Sequence, residues 1–283
     1  MHWARLKSYL LCALVPALLT GGSLSAESGA SGESSDSSSP VSLWMLPLTH
    51  HSASLETTHA DLAPDLALRT FEERQHSQMS APPSYSAEVV VDARVPASSQ
   101  QGKFALRRRF IAPKTLEFTP IEFTGDNFVK TNVITRVLQS EVDHVKKGEG
   151  ATTAINDENY RFIYRGTEVV DGASTHVYQV KPRKKRVGLF KGRIFINSAT
   201  GDLQRAEGVL VKSPSLFIKR IGFVQDYTTV AGYTLPKHIY SVAGTRLVGQ
   251  VVVDISTSDY ELLSSSDETA ASAATTATRK GSE

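Results

Sequence analysis

Across residues 160–262 the chain alternates apolar and polar residues in one short run after another, and that period leaves few folds open. At the end of the series Leu247, Val251, Val253 and Ile255 share one parity, opposed by Gln250, Asp254 and Ser256. Successive side chains of a strand point to opposite faces, so each such run has a dry face and a wet one. Tyr85, Ala87, Val89, Val91, Ala93 and Val95 repeat the pattern against Ser86, Glu88, Asp92 and Arg94. The pattern predicts a mainly β (α+β) fold built on an antiparallel sheet with one solvated side.

Further strands are predicted over residues 103–111, 114–123, 160–165, 174–181, 192–197, 203–212, 217–230, 233–242 and 247–258. Val170-Asp171-Gly172-Ala173, Ala199-Thr200-Gly201-Asp202 and Ala231-Gly232 have the composition of hairpin turns, and Ala112-Pro113 suits a strand boundary. Two stretches change period. Residues 65–79 place Leu66, Leu68 and Phe71 on part of a helical stripe that Pro82-Pro83 ends. Residues 126–147 repeat Val129, Val133, Ile134, Val137, Leu138 and Val142 at helical spacing, and Gly148 closes them, so a helix or helix pair interrupts the β series.

The N-terminus has the form of an export signal. Arg5 and Lys7 precede an apolar run over 9–19, and small residues lead to a cleavage point after Ala26. The run is about half the ~20 apolar residues that span a bilayer. The single cysteine, Cys12, lies inside it, so the exported chain would have no disulfide, thiolate metal site or cysteine nucleophile. The chain has 31 Lys and Arg against 29 Asp and Glu, and losing Arg5 and Lys7 balances them. That neutrality argues against nucleic acid as a partner, because phosphate binding depends on clustered positive charge. Residues 27–60 are expected to form a disordered or weakly ordered linker, 61–263 one domain, and 264–283 a disordered tail.

No set of residues converges on chemistry. His50, His51, His59 and His76 lack metal-ligand spacing, and neither GxSxG nor SxxK occurs. Ser174 and His176 share a strand face without an orienting acid, and Glu72-Glu73 and Asp157-Glu158 sit where solvation is the default. No catalytic residue, metal or cofactor is therefore predicted. Residues 181–193 hold seven basic side chains and no acid. Lys181, Arg183, Lys184, Lys185, Arg186 and Lys191, with Leu189 and Phe190 beside them, could meet an anionic membrane surface, or the segment could be a solvated hairpin loop. Strict alternation also puts Arg108 on the side of Phe104, Leu106 and Phe110, where a cation is costly unless paired. Either it meets a ligand headgroup or a lid carbonyl at a cavity mouth, or a bulge turns it outward.

The ordered features resemble a known family. These are the export signal, a helix before Tyr85-Ser-Ala-Glu-Val, a strand ending Arg109-Phe-Ile-Ala-Pro113, the inserted helical stretch, Gly192-Arg-Ile-Phe-Ile-Asn197 with its Gly201-Asp202 turn, the strand pair around Asp226-Tyr227, and Gly232-Tyr-Thr-Leu-Pro-Lys237. Together, over residues 62–262, they resemble the outer-membrane lipoprotein-sorting proteins of the LolA-like and LolB-like superfamily. The resemblance implies an open, curved half-barrel whose helices cover a concave apolar face that holds acyl chains. It departs at Ala112, where dedicated carriers tend to have a basic residue before the proline, and in the basic segment and the tail, so a divergent member is implied.

The expected function is a non-enzymatic periplasmic carrier of lipid or acylated lipoprotein, with inner- or outer-membrane transport components as partners. The alternative is an envelope regulatory or interaction protein that binds a partner protein through the same sheet without lipid. Val89, Val91, Phe104, Leu106, Phe110, Leu247, Val251, Val253 and Ile255 are the expected cavity lining, with Arg108 at the mouth.

Overall fold

The computed structural model describes residues 61–264. The segments predicted as export signal, linker over 27–60 and nearly all of the predicted tail lie outside the described residues. Ten strands are named in chain order: β1 (Tyr85–Val95), β2 (Gln100–Ile111), β3 (Thr115–Gly125), β4 (Tyr160–Val170), β5 (Ala173–Pro182), β6 (Phe190–Asn197), β7 (Leu203–Leu210), β8 (Ile218–Val230), β9 (Tyr233–Thr245) and β10 (Gln250–Leu262). They form one antiparallel sheet in the order β3-β2-β1-β10-β9-β8-β7-β6-β5-β4. Strands β3 and β4 are the two edges, so the sheet is not closed. Bulges shift the register with the extra residue in β3, β4, β7, β8, β9 and β10, and each adds bend to the strand that carries it. The result is an open half-barrel with helices.

The predicted alternation decides which face is inside. In β1, Tyr85, Ala87, Val89, Val91, Ala93 and Val95 are all buried. Val91 pairs with Phe104 of β2 on one side and Ile255 of β10 on the other, so the apolar rows of three strands line up. These rows merge with those of β6 to β9 into one continuous core. Leu247 is different. Strand β10 begins at Gln250, and Leu247 lies before it in the β9–β10 connection, 70% exposed. Its parity matched Val251 by coincidence, because the chain turns before the strand period starts.

Helix α1 (Pro64–Ser80) starts with proline at its first turn, where the missing N–H costs nothing, and stops before Pro82-Pro83. It buries Ala67, Phe71, Gln75 and Gln78, spaced for one face, while Leu66 is exposed rather than part of the stripe. Gln78 holds the helix to the β8–β9 hairpin through both atoms of its amide: Nε2 donates to Thr234 O at 3.1 Å, and Thr234 N donates to Oε1 at 3.2 Å. His176, buried in β5, lies 2.8 Å by its Nε2 from Leu62 O, and Tyr178 donates to Pro64 O at 2.5 Å. The strand start that carries Ser174 and His176 thus anchors the chain at the entry to α1.

The inserted helical stretch is α2 (Asn127–Val129), a π-helical turn (Lys130–Ile134) and α3 (Thr135–Lys147), followed by the short α4 (Gly150–Thr153). Gly148 ends α3 in the left-handed conformation at φ 66°. All of it connects β3 to β4, which are the opposite edges of the sheet. A connection from one rim of an open, curled sheet to the other has to cross the open side. The helices are therefore a cover by topology, and α3 packs on β3.

Candidate functional site

An open cleft of about 500 Å³ lies between α3 and the edge of the sheet. Phe104 and Leu106 of β2 form its floor, and Phe118, Pro120, Ile121 and Phe123 of β3 form one wall. Lys130 of the π-helical turn and Thr135, Leu138, Gln139 and Val142 of α3 face them. The volume falls within the ordinary range for a small-ligand site. By contrast, the hollow under α1 between Phe71 and Tyr227 has about 20 Å³, room for about one water.

The cleft exists because β3 leaves the helix as it runs. Leu116 at its start is buried, but Ile121 is 56% exposed. Ile121 is also the extra residue of a bulge, since Ala105 pairs with Glu122 while the next residue, Leu106, pairs with Pro120. Pro120 has no N–H to offer, which suits an edge strand. On the helix side the apolar stripe is wide enough to split. Val133, Ile134, Val137 and Val145 reach the packed core, Leu138 belongs to that core and also borders the cleft, and Val142 turns to the cleft.

Two polar features frame this apolar space. Lys130 places its ammonium 4.7 Å from the Phe123 ring centre and 5.2 Å from that of Phe104, a cation held on aromatic faces at the rim. A π-helical turn in an otherwise α-helical run often marks a functional site, and here it carries that lysine. Beside Phe118, Arg108 Nη1 lies 2.5 Å from Glu141 Oε1 of α3, with side-chain exposures of 8% and 13%. Its guanidinium stands 5.6 Å from the Tyr85 ring centre and 5.9 Å from that of Phe118. Burial, the largest single influence, disfavours its charge, yet the facing Glu141 together with the Tyr85 and Tyr260 hydroxyls outweighs it, and the Arg108 pKa is raised. The Tyr85 and Tyr260 hydroxyls beside it are pushed up, chiefly by burial. Arg108 is thus inward, as alternation predicted, and what it meets is a carboxylate of the covering helix rather than a lid carbonyl.

The expected cavity residues divide. Phe104 and Leu106 line the cleft. Val89, Val91, Val251, Val253 and Ile255 are packed in the continuous core, and Phe110 packs with Tyr85, Ala87, Leu116, Val145 and Leu235 in a second cluster. The basic segment also divides. Leu189 is 1% exposed and Phe190 3%, with the Phe190 ring 5.0 Å from Phe223 and 5.5 Å from Tyr160. They are core residues and cannot dip into a membrane. Arg183 Nε donates to Asp157 O at 2.6 Å and to Tyr160 O at 3.0 Å, and Arg186 Nη1 donates to Thr152 O at 3.4 Å. Lys181, Lys184, Lys185 and Lys191 remain exposed.

The cleft residues missed by sequence reasoning are Phe118, Pro120, Ile121, Glu122, Phe123, Lys130, Thr135, Leu138, Gln139 and Val142 as lining, together with Glu141 beside them. Their signal was the departure of 118–123 from strict alternation. Among the described residues, no group of three or more His, Asp and Glu side chains is placed to hold a metal, and no helix is long and apolar enough to cross a membrane.

Fold and cleft together define a class: an open β half-barrel with an apolar groove under a helical cover. Solved structures of similar form include an outer membrane lipoprotein-sorting protein domain from Vibrio parahaemolyticus, 13% identical over 73% of this chain and 97% of its own, with a TM-score of 0.39. A LolA superfamily protein from Nitrosomonas europaea is 12% identical over 70% of this chain and 94% of its own, with a TM-score of 0.34. The MucA/MucB complex of Pseudomonas aeruginosa matches at 10% identity over 72% of this chain and 95% of that one, with a TM-score of 0.22. No family model and no curated protein sequence matches the chain.

Proposed function

We propose that the protein is an exported, non-enzymatic binding protein that shelters acyl chains of a lipid or an acylated lipoprotein in the cleft between β2–β3 and α3. The observation that carries this reading is the cleft itself, mainly apolar on the sheet side and faced by Leu138 and Val142 among polar residues of the helix side, open to solvent and roofed by a helix tied down through a buried ion pair. Burying an acyl chain there gains about 0.8 kcal/mol per methylene. Lys130 at the rim suits an anionic headgroup, and separation of Arg108 from Glu141 would let α3 lift. The exposed lysines at 181, 184, 185 and 191 suit transient contact with an anionic envelope surface. The signal-like composition of residues 1–26 supports a periplasmic location for this work.

Lipid mass spectrometry of the protein extracted from its native envelope tests the reading. A stoichiometric acyl ligand, lost in a Leu138→Gln variant that still folds, is the expected result. A clean chain that also takes up no fluorescent polyene fatty acid in solution would sink it. One observation favours a second reading, a regulatory protein that binds a partner protein: β3 presents an unpaired strand edge. A clean chain that captures an extended peptide along β3 would decide for it.

A further inference from the structure

The same chain holds an occupant within reach of the cleft. Between the predicted cleavage point and Asp61 there is one apolar run, residues 41–48, Val-Ser-Leu-Trp-Met-Leu-Pro-Leu, in which six of eight residues are large and apolar. No charged residue lies between Asp36 and Glu56, so the run can enter an apolar space without stranding a charge. Twelve residues then lead to Asp61.

That point is fixed. Leu62 N donates to Ser198 O at 2.7 Å and Ser198 Oγ to Asp61 Oδ1 at 2.8 Å, so the tether starts at the end of β6. In the strand order β3 lies seven places from β6. At about 4.8 Å per strand that is roughly 34 Å along the sheet, and less across the mouth of a curled one. Thirteen Cα steps from Leu48 to Asp61 reach about 43 Å when extended. A tether of this length holds its end at an effective concentration on the order of millimolar. Against it stand Ile121 and Phe128, large apolar side chains exposed at the cleft and at the adjoining α2.

We infer that residues 41–48 occupy the cleft when no acyl chain does, and that a lipid has to displace them to load. The segment would keep the groove from collecting unrelated apolar ligands and would set a threshold for loading. This inference rests on the cleft being the ligand site.

The sequence supplies its own probe, since the two tryptophans are Trp3 and Trp44. In the full chain carrying Trp3→Phe, freed of lipid, Trp44 should emit at a blue-shifted wavelength. Acrylamide should quench it about threefold less efficiently than in the same chain with Ile121→Glu, as expected for an indole that leaves water for an apolar wall. Ile121 is exposed, so that change leaves the core intact. Palmitate should return Trp44 to solvent, and replacing Leu43, Trp44 and Leu46 by serine should tighten fatty-acid uptake severalfold. A solvent-exposed Trp44 in the lipid-free parent overturns the inference, and so does protection unchanged by Ile121→Glu. Protection that rises with protein concentration means that a second copy supplies the segment, which also overturns it. Uptake of a polyene fatty acid by the triple-serine variant judges the ligand site separately: its failure, with Trp44 protected in the parent, removes the lipid reading and leaves the docked segment standing.

Discussion

At the scale of single residues, the ion pair of Arg108 with Glu141 is a costly arrangement, because both charges have largely left water. Removing one partner leaves the other charge buried alone. Arg108→Ala or Glu141→Gln should therefore cost about 3–5 kcal/mol in urea unfolding, and the double change Arg108→Met with Glu141→Leu should recover most of it. Single-variant losses below about 1 kcal/mol would mean that the pair behaves as a surface contact. His144, buried at the end of α3, titrates in the accessible range. Burial lowers its pKa, against the opposing pull of Glu149 and Glu141 and with a smaller push from Lys147. A histidine whose folded pKa lies below its unfolded value leaves stability untouched at high pH, and the protein loses stability as pH falls through about 6.5, down to the folded pKa. Urea midpoints at pH 7.5 and 5.5 should differ less in His144→Gln than in the parent. Equal differences would show that the imidazole is not the group responsible.

At the scale of elements, the segment from β5 to β6 separates two functions that sequence alone could not. If Leu189 belongs to the core, Leu189→Ala should lower stability by about 2–5 kcal/mol and leave binding to anionic vesicles unchanged. Replacing Lys181, Lys184, Lys185 and Lys191 by glutamine should do the reverse, weakening vesicle binding with stability nearly constant. Vesicle co-sedimentation and thermal unfolding on both variants would check this, and loss of vesicle binding by Leu189→Ala alone would reverse the assignment. The elements themselves were largely legible. Strand β1 was read to the residue, because its inward row is unbroken from Tyr85 to Val95, and Gly148 marked the end of α3. Strand β6 extends two residues further towards the N-terminus than its predicted start, since Phe190 follows five basic residues and looks like part of a surface feature until its parity with Ile194 and Ile196 is noticed. The cleft was hidden for a different reason. Val89 and Leu106 are equally apolar and face the same way. Both are buried in the same core, and only the distance from the nearest helix, a long-range property, decides that Leu106 also forms the floor of the cleft and Val89 does not.

At the scale of the whole molecule, the chain order determines what can move. Strands β4 to β10 follow one another through the sheet, β10 then pairs with β1, and this continuous wall needs no help from the helices to keep its register. The edge-to-edge connection is another matter, because α3 touches the wall mainly through β3, itself an edge strand paired on one side only. Regions with an open backbone edge and few buried neighbours open at lower free energy than the centre of a sheet. Hydrogen exchange should thus be fastest, within the regular structure, in β3 and in the α3 turns that face the cleft, and slowest in β1, β9 and β10. Palmitate should slow exchange in β3 and α3 alone, since an acyl chain bridging Phe118 and Leu138 ties cover to wall without touching the rest. Protection spread evenly over all ten strands would mean that ligand merely stabilises the fold, and protection confined to the convex face would place the ligand outside the cleft. In Glu141→Gln the α3 amides should exchange as fast as those of β3 even before ligand is added, because the buried charged tie between α3 and β2 is gone.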